Sequence, residues 1–484
     1  MDKSIRDKYQ AVIGLEVHVQ LLTNSKAYSD DINEYGASPN SNISAITLGH
    51  PGTLPFVNER TIEFAVKLGL ACGCKIASEQ HFARKNYFYP DLPKGYQITQ
   101  DKTPICTGGQ IIIKTENDQE LPINLTRIHM EEDAGKSIHD VDLYDTLVDL
   151  NRAGVPLLEI VSEPDLRSSQ QAYDYLMEVR KLVRYLDICD GNMEEGSMRC
   201  DANISVNLKG SKEFGTKVEV KNMNSMRNVQ KAIEFEINRQ INCIEKNEVI
   251  AQETRSFDAL NNSTLSMRTK EAANDYRYFP EPDLPFLHLE DEYINQIKED
   301  LPQLPRELFK KYTNTFKLSS YDASNIIENK EIAIYYEKII EHTNNYKVAA
   351  NWLMGDIKSF LNEKGISILD FPISPKTIAL LIKLIEDGKI SNTIASQKIF
   401  PELLISDQSP FQVAEKLNLI QENNEDVVDA FVNQVITENE NEVMRYKNGE
   451  KQLIGYFMGK LMKISKGKVD PKTANLMLRN KLDS

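Results

Sequence analysis

No two of the six cysteines form a C-x-x-C pair. The spacing therefore signals neither a zinc ribbon nor a dithiol redox motif, and no zinc is expected. Cys72-Gly-Cys74 is too tight to be a site by itself, and reduced thiols partly in a core are the expectation. Long apolar runs are missing as well: no stretch approaches the ~20 residues needed to span a bilayer. Met1 to Gln10 mixes charged and polar residues without the apolar core of a secretory leader, so a cytoplasmic chain is expected, with no membrane partner. Positive charge is in deficit. With 57 basic against 72 acidic residues the net charge is −15, which argues against a basic nucleic-acid-binding chain as a whole but not against local basic surfaces. Signatures of nucleophilic catalysis are absent too. There is no G-x-S-x-G elbow or catalytic-cysteine run, and Ala134-Gly135-Lys136-Ser137 fails as a P-loop because Met130 stands where glycine is required.

What is present divides at the proline-rich run Phe279-Pro280-Glu281-Pro282-Asp283-Leu284-Pro285. Before it, short segments alternate strictly. In Val12–Leu21 one parity carries Ile13, Leu15, Val17, Val19 and Leu21, and the other Glu16, His18 and Gln20. Arg127–Glu131, Arg199–Val206 and Lys217–Lys221 repeat the pattern, each a half-buried strand with one apolar face. Ala172, Leu176, Val179, Leu182, Val183 and Leu186, capped at Ser168 or Ser169, mark a helix, and Val229, Ile233, Ile237, Ile241 and Ile244 a second. The expectation is an α+β domain whose helices cover one side of a sheet and whose other side is charged. After Pro305 the pattern is helical, clearest over Ile332–His342, Tyr346–Asn362 and Pro375–Glu386. An acidic block, Glu422–Glu442, then precedes a terminus with ten Lys or Arg against three Asp or Glu from Arg445 to Ser484. A basic end on an acidic chain favours a polyanionic partner, although a charge run is usually a solvated face.

The polar faces carry chemistry. Glu16, His18, His129, Glu131, Asp201 and Glu219 are metal-ligand types; Arg127, Arg199, Lys217 and Lys221 are anion-binding types. Glu159, inside the apolar run Pro156–Val161, needs a partner or a metal if buried. On one strand weak ion pairs on a solvated face would explain this, but four strands repeat it. Carboxylates suit Mg²⁺ and the cations suit phosphate, the parts of phosphoryl transfer without a protein nucleophile. Arg84–Gln97 mixes bases with Tyr87, Phe88, Tyr89 and Tyr96, equally a nucleotide or RNA platform and a packed turn. Gly455-x-x-x-Gly459 permits close helix packing or backbone approach to a ligand.

Six motifs then carry a resemblance: Gly14–Leu21 (GLEVHVQL), Arg84–Asp91 (RKNYFYPD), His129–Lys136 (HMEEDAGK), Glu159–Asp165 (EIVSEPD), Met193–Asp201 (MEEGSMRCD) and Asp275–Asp283 (DYRYFPEPD). Together they strongly resemble the B subunits of bacterial tRNA-dependent amidotransferases, the GatB/GatE family, over essentially the whole chain. The resemblance implies a cradle-like catalytic domain over 1–292 with an antiparallel sheet and covering helices. A helical domain over 293–408 and a YqeY-like tRNA-binding tail over 409–484 follow. It also implies the reaction. ATP, with Mg²⁺, phosphorylates the side-chain carboxylate of Glu or Asp mischarged on tRNA(Gln) or tRNA(Asn), and ammonia displaces the phosphate. The ammonia comes from a separate amidase (glutaminase) chain, the A subunit, and a small C subunit braces the heterotrimer. By motif, Glu16, His18, Glu132 and Glu159 resemble metal ligands; parity places Glu131 rather than Glu132 beside His129, so both stay candidates, with Glu219 as a further one. Arg84, Lys85, Arg199 and Lys217 are nominated for phosphate and carboxylate contacts, with Lys85, Arg199 and Lys217 as catalytic candidates. Two other classes compete: a stand-alone ATP-dependent carboxylate ligase for a small acid, and a non-enzymatic RNA-binding scaffold.

Overall fold

The structure is a computed structural model of all 484 residues. It describes all of them except 1, 116, 118, 140, 270–275, 421–424, 466–468, 470 and 484. Asp275 of the last motif, the start of the acidic block and part of the basic terminus therefore lie outside the described residues. The chain forms two compact units, Met1–Pro305 and Arg306–Ser484.

The first unit is built on a ten-stranded sheet. Its strands are β1 (Tyr9–Gln20), β2 (Lys75–Ile76), β3 (Cys106–Thr107), β4 (Gln110–Lys114), β5 (Glu120–Glu132), β6 (Pro156–Ser162), β7 (Met198–Leu208), β8 (Val218–Lys221), β9 (Glu253–Asp258) and β10 (Ser263–Thr269). The order is β10-β9-β8-β7-β1-β6-β5-β3-β2, with β4 on the far part of β5. Pairings are antiparallel except β8 with β9, which is parallel. Alternation decides the faces as expected: Ile13, Leu15, Val17 and Val19 are at most 1% exposed, whereas Glu16, His18 and Gln20 are half-buried.

Three helices cover the apolar face: α1 (Glu59–Ala71), α2 (Ser169–Tyr185) and α3 (Met226–Glu245). Each begins at a side-chain cap, with Asn58, Ser168 and Ser225 accepting from the N–H of Arg60, Gln171 and Asn228. Such caps are worth ~1 kcal/mol each and fix where the helix starts. Leu176, Val179 and Val183 of α2 and Val229, Ile233 and Ile237 of α3 join Ile13, Leu15, Ile204 and Val206 in one core. Burying an aliphatic side chain is worth ~1.5–3 kcal/mol. A one-residue slip of β1 would expose four such residues and bury Glu16 and His18, so register is strongly specified. Register is what aligns the site.

The second unit is helical throughout its described residues. The helix expected from Ile332 runs Lys330–Ile340, two residues early because Asn329 accepts from the Ile332 N–H. That expected from Tyr346 runs to Lys364 through a wide turn at Leu353–Ile357. Pro375–Glu386 starts at its proline behind a Ser374 cap. Pro410–Lys416 packs on Pro375–Glu386 and Phe400–Leu403. Glu425–Glu438, Glu440–Lys447, Ile454–Ile464 and Pro471–Asp483 enclose a separate core of Val428, Val432, Val435, Phe457, Leu461 and Leu478. Space is open beside both Gly455 and Gly459, so no helix packs closely there among the described residues.

Candidate active site

The polar face of the sheet lines functional side chains up in rows, because antiparallel neighbours stand directly opposite one another. One row crosses four strands: His129 on β5 faces Glu159 on β6, which faces His18 on β1, which faces Arg199 on β7. In the next, Glu16 faces Asp201; beyond it Asn203 faces Glu219, which faces Thr254 on β9.

The rows resolve into two groups. In the first, Glu159 Oε2 lies 3.3 Å from both His18 Nε2 and His129 Nε2, and Glu131 Oε2 lies 3.7 Å from His129 Nε2. His129, Glu131 and Glu159 are all nearly inaccessible. Burial alone would lower the His129 pKa, but the Glu131 and Glu159 carboxylates beside it outweigh that and push it up to about 9. Burial would likewise raise Glu131, yet the Lys85 ammonium and His129 hold it down at about 2. Glu159 falls well below the carboxylate range as both imidazoles overcome its burial. Buried charges survive here because each has an opposite partner.

The second group is made of carboxylates. Glu16, Asp201 and Glu219 each bring an oxygen within 4.8 Å of the others. Burial, then the Glu159 charge, raises the Glu16 pKa, with Asp201 and Glu219 adding to it and the Asn203 amide opposing. Asn203 Nδ2 donates to Glu16 Oε1 at 2.8 Å, Thr254 Oγ1 donates to Glu219 Oε2 at 2.8 Å, and Lys221 Nζ bridges Asp201 Oδ2 at 2.5 Å and Glu219 Oε1 at 3.1 Å. Three hard oxygen donors brought this close together are of the kind that suits Mg²⁺ or a like cation. The imidazole group, already charge-balanced, fits one only after losing protons.

A cavity of about 580 Å³ opens over both groups, lined by His18, Glu131, Arg199, Asp201, Lys221 and Tyr87, among others. A smaller one of about 280 Å³ lies on the far side of Glu16. Gly14, Pro164, Asn203, Phe214 and Lys217 help form it, and its walls are mainly apolar.

The residues nominated from sequence distribute unevenly. Glu16 and Glu219 share the carboxylate group, while His18, Glu131 and Glu159 share the imidazole group. Parity persists to the end of β5, so Glu132 turns away from both. It bonds to Lys94 and to the Ile98 N–H, and walls a third cavity of about 190 Å³ with Tyr28 and Thr47. Arg84 is engaged elsewhere, bonding through Nε and Nη2 to the two oxygens of Glu281 at 2.7 Å each and to Asp283 at 2.9 Å. Lys85 Nζ reaches Glu131 at 3.5 Å and lies over the Tyr276 ring. Arg199 reaches the cavity but is anchored to Asp133 at 2.8 Å, and Lys217 is exposed at the smaller pocket. The failed P-loop segment forms part of a hairpin, Lys136–Ile138 with Leu147–Asp149, and Arg152 caps the Ala134 and Gly135 carbonyls.

Asp133, Asn203 and Thr254 stand outside the sequence nominations. Asp201 and Lys221 were legible as ligand and anion-binding types on the polar parity. Only strand order shows that they meet Glu16 and Glu219.

Residues 11–295 match the family described as GatB/GatE catalytic domain, and residues 334–482 that described as GatB domain. The chain is 47% identical to the B subunit of the aspartyl/glutamyl-tRNA(Asn/Gln) amidotransferase of Alkalilimnicola ehrlichii, over 99% of this chain and 100% of that one. Proteins of the same name from Chlorobium phaeobacteroides and Trichodesmium erythraeum are each 46% identical, over 98% and 99% of this chain and 99% of each relative. Among solved structures, the tRNA-binding domain of glutaminyl-tRNA synthetase from Saccharomyces cerevisiae aligns with 37% of this chain and 92% of its own at 18% identity. Its TM-score of 0.26 is too low to carry any argument. With two family matches in order and relatives alike from end to end, the chain belongs to the GatB/GatE family, as its six motifs imply.

Proposed function

We propose that the chain works as its relatives are named, as the B subunit of an aspartyl/glutamyl-tRNA(Asn/Gln) amidotransferase. It activates the side-chain carboxylate of Glu or Asp on mischarged tRNA with ATP and Mg²⁺, in the cytoplasm. An amidase (glutaminase) partner, the A subunit, supplies ammonia, and a small C subunit completes the heterotrimer. The observation that carries this reading is the carboxylate group Glu16–Asp201–Glu219 standing between two cavities, one mainly apolar and one polar.

A carboxylate is a poor electrophile because oxide is a poor leaving group, and an acyl phosphate removes that obstacle. Phosphoryl transfer needs charge neutralisation and alignment rather than a protein nucleophile. The apolar pocket holds the nucleotide base against Phe214, with Lys217 at its rim. The larger cavity takes the aminoacyl end, where Arg199, fixed by Asp133, meets carboxylate or phosphate oxygens. Glu16, Asp201 and Glu219 would hold a divalent cation, which would supply positive charge at the phosphates. Lys85 and the two imidazoles keep Glu131, at the cavity wall, and Glu159, behind it, ionised.

For domain organisation we propose a catalytic domain over 1–292, a helical domain over 293–408 and a tail over 409–484 that binds tRNA. The separate core enclosed by the last four helices supports the independence of the tail from Glu425 on, whereas Pro410–Lys416 packs on the helices before it. The test is Glu16→Gln and Asp201→Asn in the assembled complex. Both should lose tRNA-dependent ATP hydrolysis while retaining tRNA binding; undiminished hydrolysis would favour the scaffold reading.

A further inference from the structure

We propose that Lys221 is an exchangeable cation of the active site. It neutralises the carboxylate group before a divalent ion arrives, and is released by that ion to bind the phosphoryl group in transfer. The proposal rests on the metal reading of Glu16, Asp201 and Glu219 given above.

Lys221 ends β8, and its ammonium sits between Asp201 and Glu219, 2.5 Å and 3.1 Å from their oxygens. Those two residues supply two of the three oxygen donors of the carboxylate group. A divalent ion drawn to the same carboxylates would compete with the ammonium for them, since like charges repel steeply at such range. That competition would release Lys221, and its flexible four-carbon stem allows it to move. The side chain is about a third exposed, and the 580 Å³ cavity it lines offers the open direction.

The other cations there are differently placed. Arg199 lies 2.8 Å and Arg152 3.6 Å from Asp133, which is no member of the carboxylate group, so a metal ion displaces neither. Lys136 is exposed on the hairpin across the cavity. Lys221 is set apart by its partners, Asp201 and Glu219, which belong to the carboxylate group itself. In the step it serves, the bond from the γ-phosphorus to the β-bridging oxygen of ATP breaks. A bond from phosphorus to a carboxylate oxygen of the substrate forms, and the electron pair stays on ADP. Lys221 transfers no proton; it neutralises the oxygens of the moving phosphoryl group.

The prediction is a change of opposite sign in two measurements on Lys221→Met. Mn²⁺ binding to the full chain, followed by electron paramagnetic resonance, should show in the wild type a class of site that Asp201→Asn loses. Lys221→Met should bind that class on the order of tenfold more tightly, because a competing positive charge is gone. In the assembled complex at saturating Mg²⁺ and ATP, kcat for tRNA-dependent ADP release should fall about a hundredfold, with Lys221→Arg recovering part of it. If Lys221→Met weakens Mn²⁺ binding together with activity, the role is structural and the proposal is wrong. Unchanged Mn²⁺ affinity, or full activity, overturns it equally. A wild type without a class sensitive to Asp201→Asn would instead overturn the metal reading beneath it.

Discussion

Replacing Arg84 by alanine should destabilise the first unit without weakening ATP binding. Motif reading nominates this arginine for phosphate, but its guanidinium is spent on Glu281, whose side chain is wholly buried while that of Arg84 is 18% exposed. Removing one partner of a buried pair costs ~3–5 kcal/mol because the other charge stays behind unpaired. Partial exposure of Arg84 lets water replace some of it, which selects the lower end, ~3 kcal/mol. The Asp283 contact, with that carboxylate 34% exposed, adds ~0–1 kcal/mol. Stacking over the Tyr96 ring at 4.2 Å adds ~1 kcal/mol. A total near ~4 kcal/mol in a unit of this size lowers Tm by ~8 °C, at ~2 °C per kcal/mol. Lysine at 84 keeps the charge but not the two-pronged geometry, so Arg84→Lys should fall between. The assay is calorimetry of the full chain beside KM for ATP in the assembled complex. A Tm within a degree of wild type together with a tenfold rise in KM would refute the reasoning and return Arg84 to the nucleotide site.

Other expectations test other parts of the site. His129 is raised from 6.5 to about 9, so its stabilising share is complete below pH 6.5 and is lost as pH rises through 9. That share is about 3 kcal/mol. Glu131, lowered from 4.5 to about 2, works the opposite way: its share is present above pH 4.5 and lost as pH falls through 2. In chelator, Tm should therefore decline from pH 6.5 to 9, and Glu159→Gln should flatten that decline; parallel curves would contradict it. Phe214→Ala should raise KM for ATP about tenfold, the loss of one ring contact worth ~1.4 kcal/mol, and leave KM for tRNA unchanged. Deleting residues 421–484 should raise KM for tRNA, whereas a ligase for a small acid would be indifferent to the loss. Cutting there rather than at 409 spares the helix Pro410–Lys416, which packs on the helices before it.

Much of this was legible in the sequence because alternation along a strand is local. The parity of Ile13 to Leu21 is enough to place Glu16 and His18 on the polar face, and the parity of β5 separates Glu131 from Glu132. Helices α2 and α3 announce themselves by apolar spacing, and α2 by a serine cap as well. The partners of these residues are not legible in that way, because they depend on which strands adjoin. Glu16 meets Asp201 only because β1 pairs with β7, nearly 190 residues later. Thr254 reaches Glu219 only through the parallel β8–β9 pairing. Arg84 misleads for a related reason: its buried partner, Glu281, is 197 residues away and sits in the proline-rich run read as a boundary. The motifs identify the family; the division of labour within its polar residues needs the register.

The central claim is that this chain activates a carboxylate carried on tRNA. The most direct measurement supplies the assembled complex with γ-labelled ATP, Mg²⁺ and Glu-tRNA(Gln) or Asp-tRNA(Asn), and withholds glutamine and ammonium. Label should pass from ATP to the aminoacyl-tRNA, and the Asp201→Asn complex should transfer none. If neither mischarged tRNA takes up label or stimulates ATP hydrolysis, the account is contradicted.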